Sequence, residues 1–407
     1  MGKNEPKGKN ISQLQLENRS TLLKLLRSHK HIWRKDLAEM SGLTGAAVTY
    51  LIRDLIEVGL VSEDREYTGP RSKNAIPLKI NYERFLVIGV SIRRGRISRA
   101  VADLSGKIIA SDSIRFDLTE SAERVMDALV KLISEYIADY GHVGGIVGIG
   151  LSVPGPINLE RGEISYLTNL PGWKAIPIRR YLEERFDIPV MMDEDANAAA
   201  LAEKWLGSGR NHKNLISILV GKGVGAGVIM GGHIYHGAFG LAGEIGHMSI
   251  NFEGPLCECG NKGCLELYAS TLALMRRAEA RYGIKGDFQT FRKQVAQGHD
   301  GLEQMVIDAG RHLGYGITNL VYAFNPELVA LHGDMTLFGP LWLENVRGAV
   351  AERLPADISS NLRIEVSTLP DPVLLGTVAM VCEHLFENPV LTSFTSPVTV
   401  DTVNFSS

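Results

Sequence analysis

The chain has 407 residues, 45% of them apolar and 22% charged, with a formal net charge of −3. That length exceeds one ordinary domain and predicts two or three, while the composition excludes a disordered, collagen-like or disulfide-framework protein. No apolar run approaches the ~20 residues of a membrane span, and the polar start Met1–Asn10 lacks the apolar core of a secretory signal, so a cytoplasmic location and no membrane partner are expected.

Charge is unevenly spread. Residues 1–80 hold 14 Lys and Arg against 9 Asp and Glu, leaving −8 on the remainder, so only this head is suited to meet a polyanion. Residues 18–28 place Leu22, Leu23, Leu25 and Leu26 at helical spacing, and Arg34–Met40 reads as a second short helix. Ser41-Gly42-Leu43 supplies a tight turn, and Thr44 caps a third helix, Gly45–Val58, with Val48, Leu51, Ile52, Leu55 and Ile56 inward. Two helices joined through a glycine turn form a helix-turn-helix. Its second helix would enter the DNA major groove with Thr44, Ala46, Ala47, Thr49, Tyr50 and Arg53. Gly59–Val61 and Ala75–Leu78 read as short strands of a wing, with Arg71 and Lys73 between them for phosphates or a narrow minor groove. The competing reading of this head is a three-helix module for protein contacts or dimerisation.

From Phe85 the texture changes. Phe85–Ser91, Ile97–Asp103 and Lys107–Ile114 read as a meander of strands, Ser121–Tyr140 as a helix and Gly145–Val153 as a buried strand. This opens an RNase-H-like lobe, and Ile216–Val220, Val228–Met230 and His233–His236 look like the second copy. Asn169 and the run Asp193-Glu194-Asp195 lie at strand ends, where ligand residues of α/β folds collect; turn formation and helix capping are the alternative, since Asp195 opens the helical run Ala196–Leu206. Gly221–Gly227 is glycine-rich, which suits a tight strand turn as well as a phosphate loop.

The most informative stretch runs from Gly243 to Glu266. His247, Cys257, Cys259 and Cys264 offer one imidazole and three thiols, a donor set that fills the tetrahedral shell of a structural Zn²⁺ and leaves no position for water. The only other cysteine is Cys382, so no disulfide framework is expected. Glu244 and Glu266 bracket the cluster, and carboxylates held on a pinned loop suit a polyhydroxylated ligand. Downstream, Gly310–Ala323, Arg347–Leu354 and Val373–Phe386 read as helices and Leu328–His332 as a strand, before a Thr- and Ser-rich tail expected to be disordered.

Gly-Glu-x-Gly-His followed by Cys-x-Cys-Gly-x-x-Gly-Cys-Leu-Glu resembles the ROK family of repressors, open reading frames and sugar kinases, over nearly the whole chain to about Phe386. The resemblance implies an α/β fold: an N-terminal winged helix-turn-helix over residues 1–80, then a two-lobed actin-like, RNase-H-like sugar-kinase fold. The first lobe would span 81–195, completed by a helix near 373–387; the second, with the zinc loop and an oligomerisation surface, would span 196–372, and 388–407 would form the tail. It also implies Asn169, Glu194, Asp195, Glu244, His247 and Glu266 as sugar-binding residues, with Asp195 at the position of the kinase general base and Glu194 where Asn is usual. Family kinases carry Asp-x-Gly-Gly-Thr at the first strand turn; here Ser91-Ile92-Arg93-Arg94-Gly95 stands there, without the metal-holding carboxylate. Two functions follow. The first is a sugar-responsive repressor, a homodimer or homotetramer that binds double-stranded operator DNA and has no catalytic residue; the second is an ATP-dependent sugar kinase with an accessory head. The head and the turn at Arg93 favour the repressor.

Overall fold

The computed structural model describes residues 10–69, 76–93, 95–142, 145–166, 173–391 and 394. Helix α1 covers Ile11–Ser28, α2 Arg34–Ser41 and α3 Gly45–Glu57. The first helix starts seven residues before the stretch 18–28 read from the sequence, because the Asn10 side chain accepts the Gln13 N–H and caps an earlier turn. Gly42 takes the left-handed conformation at φ 72° that lets the chain reverse between α2 and α3, and the Thr44 hydroxyl accepts the Ala47 N–H at 3.2 Å. Leu22, Leu23, Leu37, Val48, Ile52 and Leu55 are fully buried between the three helices, and a largely buried Arg19–Asp54 ion pair at 2.8 Å ties α1 to α3. Behind them β1 (Val61–Glu63) pairs antiparallel with β2 (Leu78–Ile80), each a couple of residues later than the sequence suggests. The wing tip with Arg71 and Lys73 lies outside the described residues, as does most of the expected disordered tail.

The chain clusters into two compact units: 1–153 with 160–192 and 377–407, and 154–159 with 193–376. In the first, β3 (Phe85–Arg93), β4 (Arg96–Asp103) and β5 (Ile108–Arg115) form an antiparallel meander. Helix α4 (Ala122–Tyr140), capped by Ser121, leads to β6 (Gly145–Val153), which lies parallel to β3. Both β3 and β6 are buried along almost their full length, as strands covered on two faces must be. After β7 (Ile157–Asn158), the hairpin β8 (Glu163–Tyr166) and β9 (Lys174–Ile176), and helix α5 (Ile178–Phe186), strand β10 (Val190–Glu194) completes the sheet order β10-β6-β3-β4-β5.

The second unit repeats that plan. Helix α6 (Asp195–Trp205) precedes β11 (Leu215–Val220), β12 (Val224–Met230) and β13 (His233–Ile234), again an antiparallel meander. Helices α7 (Glu266–Ala269), α8 (Thr271–Tyr282), α9 (Phe288–Ala296) and α10 (Asp300–Phe324) follow, then β14 (Leu328–His332) parallel to β11. Helices α11 (Pro340–Ala351) and α12 (Ala356–Asn361) lead to β15 (Arg363–Val366), giving the order β13-β12-β11-β14-β15. Helix α13 (Pro372–Glu387) ends the regular structure and returns to the first unit, where β6 carries glycines at 148 and 150: a Cβ on Gly150 would lie 1.9 Å from the Thr377 carbonyl oxygen. The glycine-rich stretch is a tight strand turn: β12 already begins at Val224, paired with Val220.

Candidate functional site

The metal-ligand candidates and most of the proposed sugar ligands fall in the second unit, and its core explains how they are held. Two glycines clamp the Gly-Glu-Ile-Gly-His turn flat on β12: a Cβ on Gly243 would lie 2.0 Å from the Ala226 carbonyl oxygen, and one on Gly246 2.1 Å from that of Val224. With the backbone fixed there, Ile245 enters the core while Glu244 and His247 stay half-exposed. At the other end of the stretch, fully buried Leu265 wedges against α10, where a Cβ on Gly316 would come within 2.6 Å of its Cδ2. That anchor sets Cys264 and Glu266 on either side of it.

The loop between these anchors brings one donor atom each from His247, Cys257, Cys259 and Cys264 within 4.8 Å of one another. Cys259 Sγ lies 3.7 Å from Cys264 Sγ, and Cys257 Sγ 3.7 Å from His247 Nδ1. Zinc–sulfur bonds of roughly 2.3 Å in a tetrahedron place sulfurs about 3.8 Å apart, so the Cys259–Cys264 spacing is compatible with one edge of a zinc shell. Burial, reinforced by the neighbouring thiols, pushes the Cys264 thiol up to about 12, while the backbone at Asn261 lowers that of Cys259. Three thiols this close ionise together only around a cation, and all three are free of disulfides. The remaining ring nitrogen of His247, Nε2, faces Glu244 Oε2 at 3.8 Å.

Carboxylates gather beside this loop. Asp193 is buried; its Oδ1 accepts the Glu194 N–H at 2.8 Å and the Asn197 side-chain amide at 2.7 Å, and its Oδ2 lies 2.7 Å from His236 Nε2. That hydrogen bond raises the His236 pKa against the opposing effect of burial. Glu194 is pushed up to about 8, first by burial and then by the charges of Glu244, Asp193 and Asp195, with a hydrogen bond from the Ile157 backbone working the other way. Asp195 opens α6, where the helix N-terminus favours negative charge. Glu266 Oε2 accepts the Val224 N–H at 3.1 Å, which places this carboxylate at the β11–β12 turn.

Of the sequence candidates, the structure thus gathers Glu194, Asp195 and Glu244 electrostatically, joins His247 to Glu244, and sets Glu266 on the neighbouring turn. Asn169 lies outside the described residues. Asp193 as a hub and His236 as its partner were not singled out from the sequence; they are 43 residues apart in the chain. In the head, Thr44, Ala46, Thr49, Tyr50 and Arg53 are exposed along one face of α3, with Ala47 half-buried, and the Arg53 guanidinium lies 5.0 Å from the Tyr50 ring centre.

The sequence model described as the ROK family covers residues 87–383. The xylose repressor of Caldicellulosiruptor bescii is 31% identical over 395 residues, spanning 93% of this chain and 99% of the relative. The crystal structure of a ROK family transcriptional regulator, a homolog of the E. coli MLC protein, superposes with a TM-score of 0.83 at 24% identity, covering 94% of this chain and 99% of that one, and so shares the fold. The ROK hexokinase from Thermus thermophilus matches 73% of this chain and 97% of its own, with a TM-score of 0.64 and 32% identity. The chain belongs to the ROK family.

Proposed function

We propose that this chain is a sugar-responsive transcriptional regulator acting as a repressor in the cytoplasm: residues 1–80 grip operator DNA, and a monosaccharide held by Glu194, Asp195, Glu244, His247 and Glu266 sets how tightly. The observation that carries the reading is the α2–α3 pair, whose Gly42 turn and Thr44 cap leave Ala46, Thr49, Tyr50 and Arg53 exposed for the major groove. Likeness to a xylose repressor over 93% of the chain, head included, supports both the DNA and the sugar. The protein binds as a dimer or a tetramer, and the sugar shifts the population toward a form whose two heads no longer match the half-site spacing. Arg71 and Lys73 add phosphate contacts from the wing, and Asn169 adds a further sugar contact.

His247, Cys257, Cys259 and Cys264 hold a structural Zn²⁺. Such an ion would pin the loop from Glu244 to Glu266 and fix the His247 ring, whose Nε2 is left to face the sugar side. Replacing Cys257 or Cys259 with Ser is expected to abolish stoichiometric zinc, read by plasma mass spectrometry, and to weaken sugar binding about tenfold or more. A zinc-free variant with normal sugar affinity would sink the coupling.

The kinase alternative draws on the 32% identity to a hexokinase. Against it stands the first strand turn, where Ser91 and Arg93 take the place of the metal-holding carboxylate and a glycine of the family kinases. The deciding experiment is fluorescence anisotropy on DNA from upstream of the protein's own gene, at fixed salt, with D-xylose, D-glucose and N-acetyl-D-glucosamine added in turn. Nanomolar binding that one sugar weakens about tenfold, roughly 1.4 kcal/mol of coupling, is the expected result. Sugar-dependent ATP consumption without specific DNA binding would replace the repressor with the kinase.

A further inference from the structure

We infer that α3 reads operator DNA through thymine: the Cγ2 methyl of Thr49, with the Cβ of Ala46 beside it, packs against thymine 5-methyl groups in the major groove, and Thr49 is the residue that sets this preference. The inference rests on the reading of residues 1–80 as the DNA-binding head and assigns the base chemistry that its recognition helix selects. In the major groove thymine alone carries a methyl group, whereas the other bases present hydrogen-bond donors and acceptors that an apolar side chain leaves unmatched.

The hydrogen bonds of the helix decide which atoms face outward. Val48, Leu51, Ile52 and Leu55 are buried against the rest of the head, so the opposite face of α3 carries Ala46, Thr49, Tyr50 and Arg53, spaced i, i+3, i+4 and i+7, and all four are exposed. Base edges are met by the N-terminal residues of a recognition helix, which singles out Ala46 and Thr49. Two hydroxyls lie at this end, and both are engaged within the helix. Thr44 Oγ1 accepts the Ala47 N–H at 3.2 Å as the cap, and Thr49 Oγ1 donates its proton to the Gly45 carbonyl oxygen at 2.8 Å. With its hydroxyl turned back onto the preceding turn, Thr49 offers Cγ2 to the groove, and Ala46 has only a methyl to offer. The polar side chains of the same face are engaged with each other: the Arg53 guanidinium lies 5.0 Å from the Tyr50 ring centre, with its Nε 3.6 Å from Glu57. A base that drew the Thr49 hydroxyl to itself would break the bond to Gly45, whereas thymine leaves it in place. The competing reading, in which that hydroxyl swings out and hydrogen-bonds a base, makes opposite predictions for serine and valine at this position.

The test uses the full-length protein and one duplex, the stretch upstream of its own gene, made throughout with thymidine or throughout with deoxyuridine, so that the two copies differ only in the thymine methyls. Kd is measured by fluorescence anisotropy at fixed salt for the wild type, Thr49→Ser and Thr49→Val, with a thermal melt of each as the control for folding. Burying one methyl is worth about fourfold in Kd per half-site, so a dimer on two half-sites is expected to bind the deoxyuridine copy about fifteenfold more weakly. Thr49→Ser, which keeps the hydroxyl and drops the methyl, loses a similar amount on the thymidine copy and little further on the deoxyuridine copy. Thr49→Val, which keeps the methyl, prefers the thymidine copy as the wild type does. Equal wild-type affinity for the two copies overturns the inference, and this arm does not depend on any variant. A thymidine preference that Thr49→Ser leaves intact removes Thr49 from the contact. Serine binding as the wild type does while valine loses affinity for both copies would make the hydroxyl the reader and the methyl irrelevant. A wild-type protein that holds neither copy more tightly than an unrelated duplex of the same length ends the DNA-binding reading itself, and this inference falls with it.

Discussion

Glu194 illustrates how one side chain ties stability to pH. Its carboxyl titrates near 4.5 in an unfolded chain and near 8 here, so the folded protein holds that proton more tightly. The stabilising contribution is complete below the ordinary glutamate value and is lost as pH climbs through about 8, on the order of 5 kcal/mol in all. Glu194→Gln is accordingly expected to raise the melting temperature by several degrees at pH 8.5 and hardly at all at pH 5, measured by calorimetric scans across that range. A gap that does not grow with pH would show that Glu194 ionises freely. At this scale the sequence was legible wherever chemistry is local. The spacing of His247, Cys257, Cys259 and Cys264 points to tetrahedral coordination by itself, and the structure places their donors within 4.8 Å. The Asp193–His236 pair was not legible, because neither residue is unusual in its own neighbourhood and the two are 43 positions apart in the chain.

Among the secondary elements, legibility followed periodicity and caps. Thr44 and Ser121 mark the starts of α3 and α4 because a hydroxyl that accepts an N–H two or three residues on is a local device. Helix α10 runs 25 residues where only its later half stood out, and α8 and α9 escaped notice, since their apolar stripes are narrow and interrupted by charge. Glycine-rich Gly221–Gly227 divides into a turn and the start of a strand; composition could not separate the two. Helix contacts also make a sharp prediction. At the start of α13, a Cβ on Gly376 would lie 1.8 Å from the Ala198 carbonyl oxygen of α6, a backbone-on-backbone approach that nothing larger permits. Gly376→Ala should therefore cost about 3 kcal/mol or more in urea unfolding. Gly348→Ala, on the exposed face of α11 with open space around it, should instead stabilise by about 0.5–1 kcal/mol. Equal effects at the two sites would refute the packing account.

For the whole molecule, charge decides which part can touch DNA. A head with 14 cationic against 9 anionic side chains sits on a chain whose remainder is net negative, so long-range attraction to a duplex is confined to residues 1–80. Affinity for operator DNA should fall linearly on a log–log plot against salt. Arg53→Ala, removing an exposed guanidinium 3.6 Å from Glu57, should weaken binding about tenfold and reduce that slope by about one. An unchanged slope and affinity would take Arg53 off the interface. The repeated five-stranded plan was legible from two meanders of similar texture, whereas the short excursion of residues 154–159 into the second unit was not, because six residues leave no mark on the periodicity.

The passages of the chain between its two units have a consequence for synthesis. The chain leaves the first unit after Val153 and returns to it for the last time at Thr377, with Thr377 and Val381 of α13 lying against the glycines of β6. On the ribosome, the three helices of the head can close as soon as they emerge, since their contacts are local. The sheet that follows must wait for a helix translated more than two hundred residues later. Every nascent chain therefore passes through an interval in which a finished DNA-binding head trails an unfinished body.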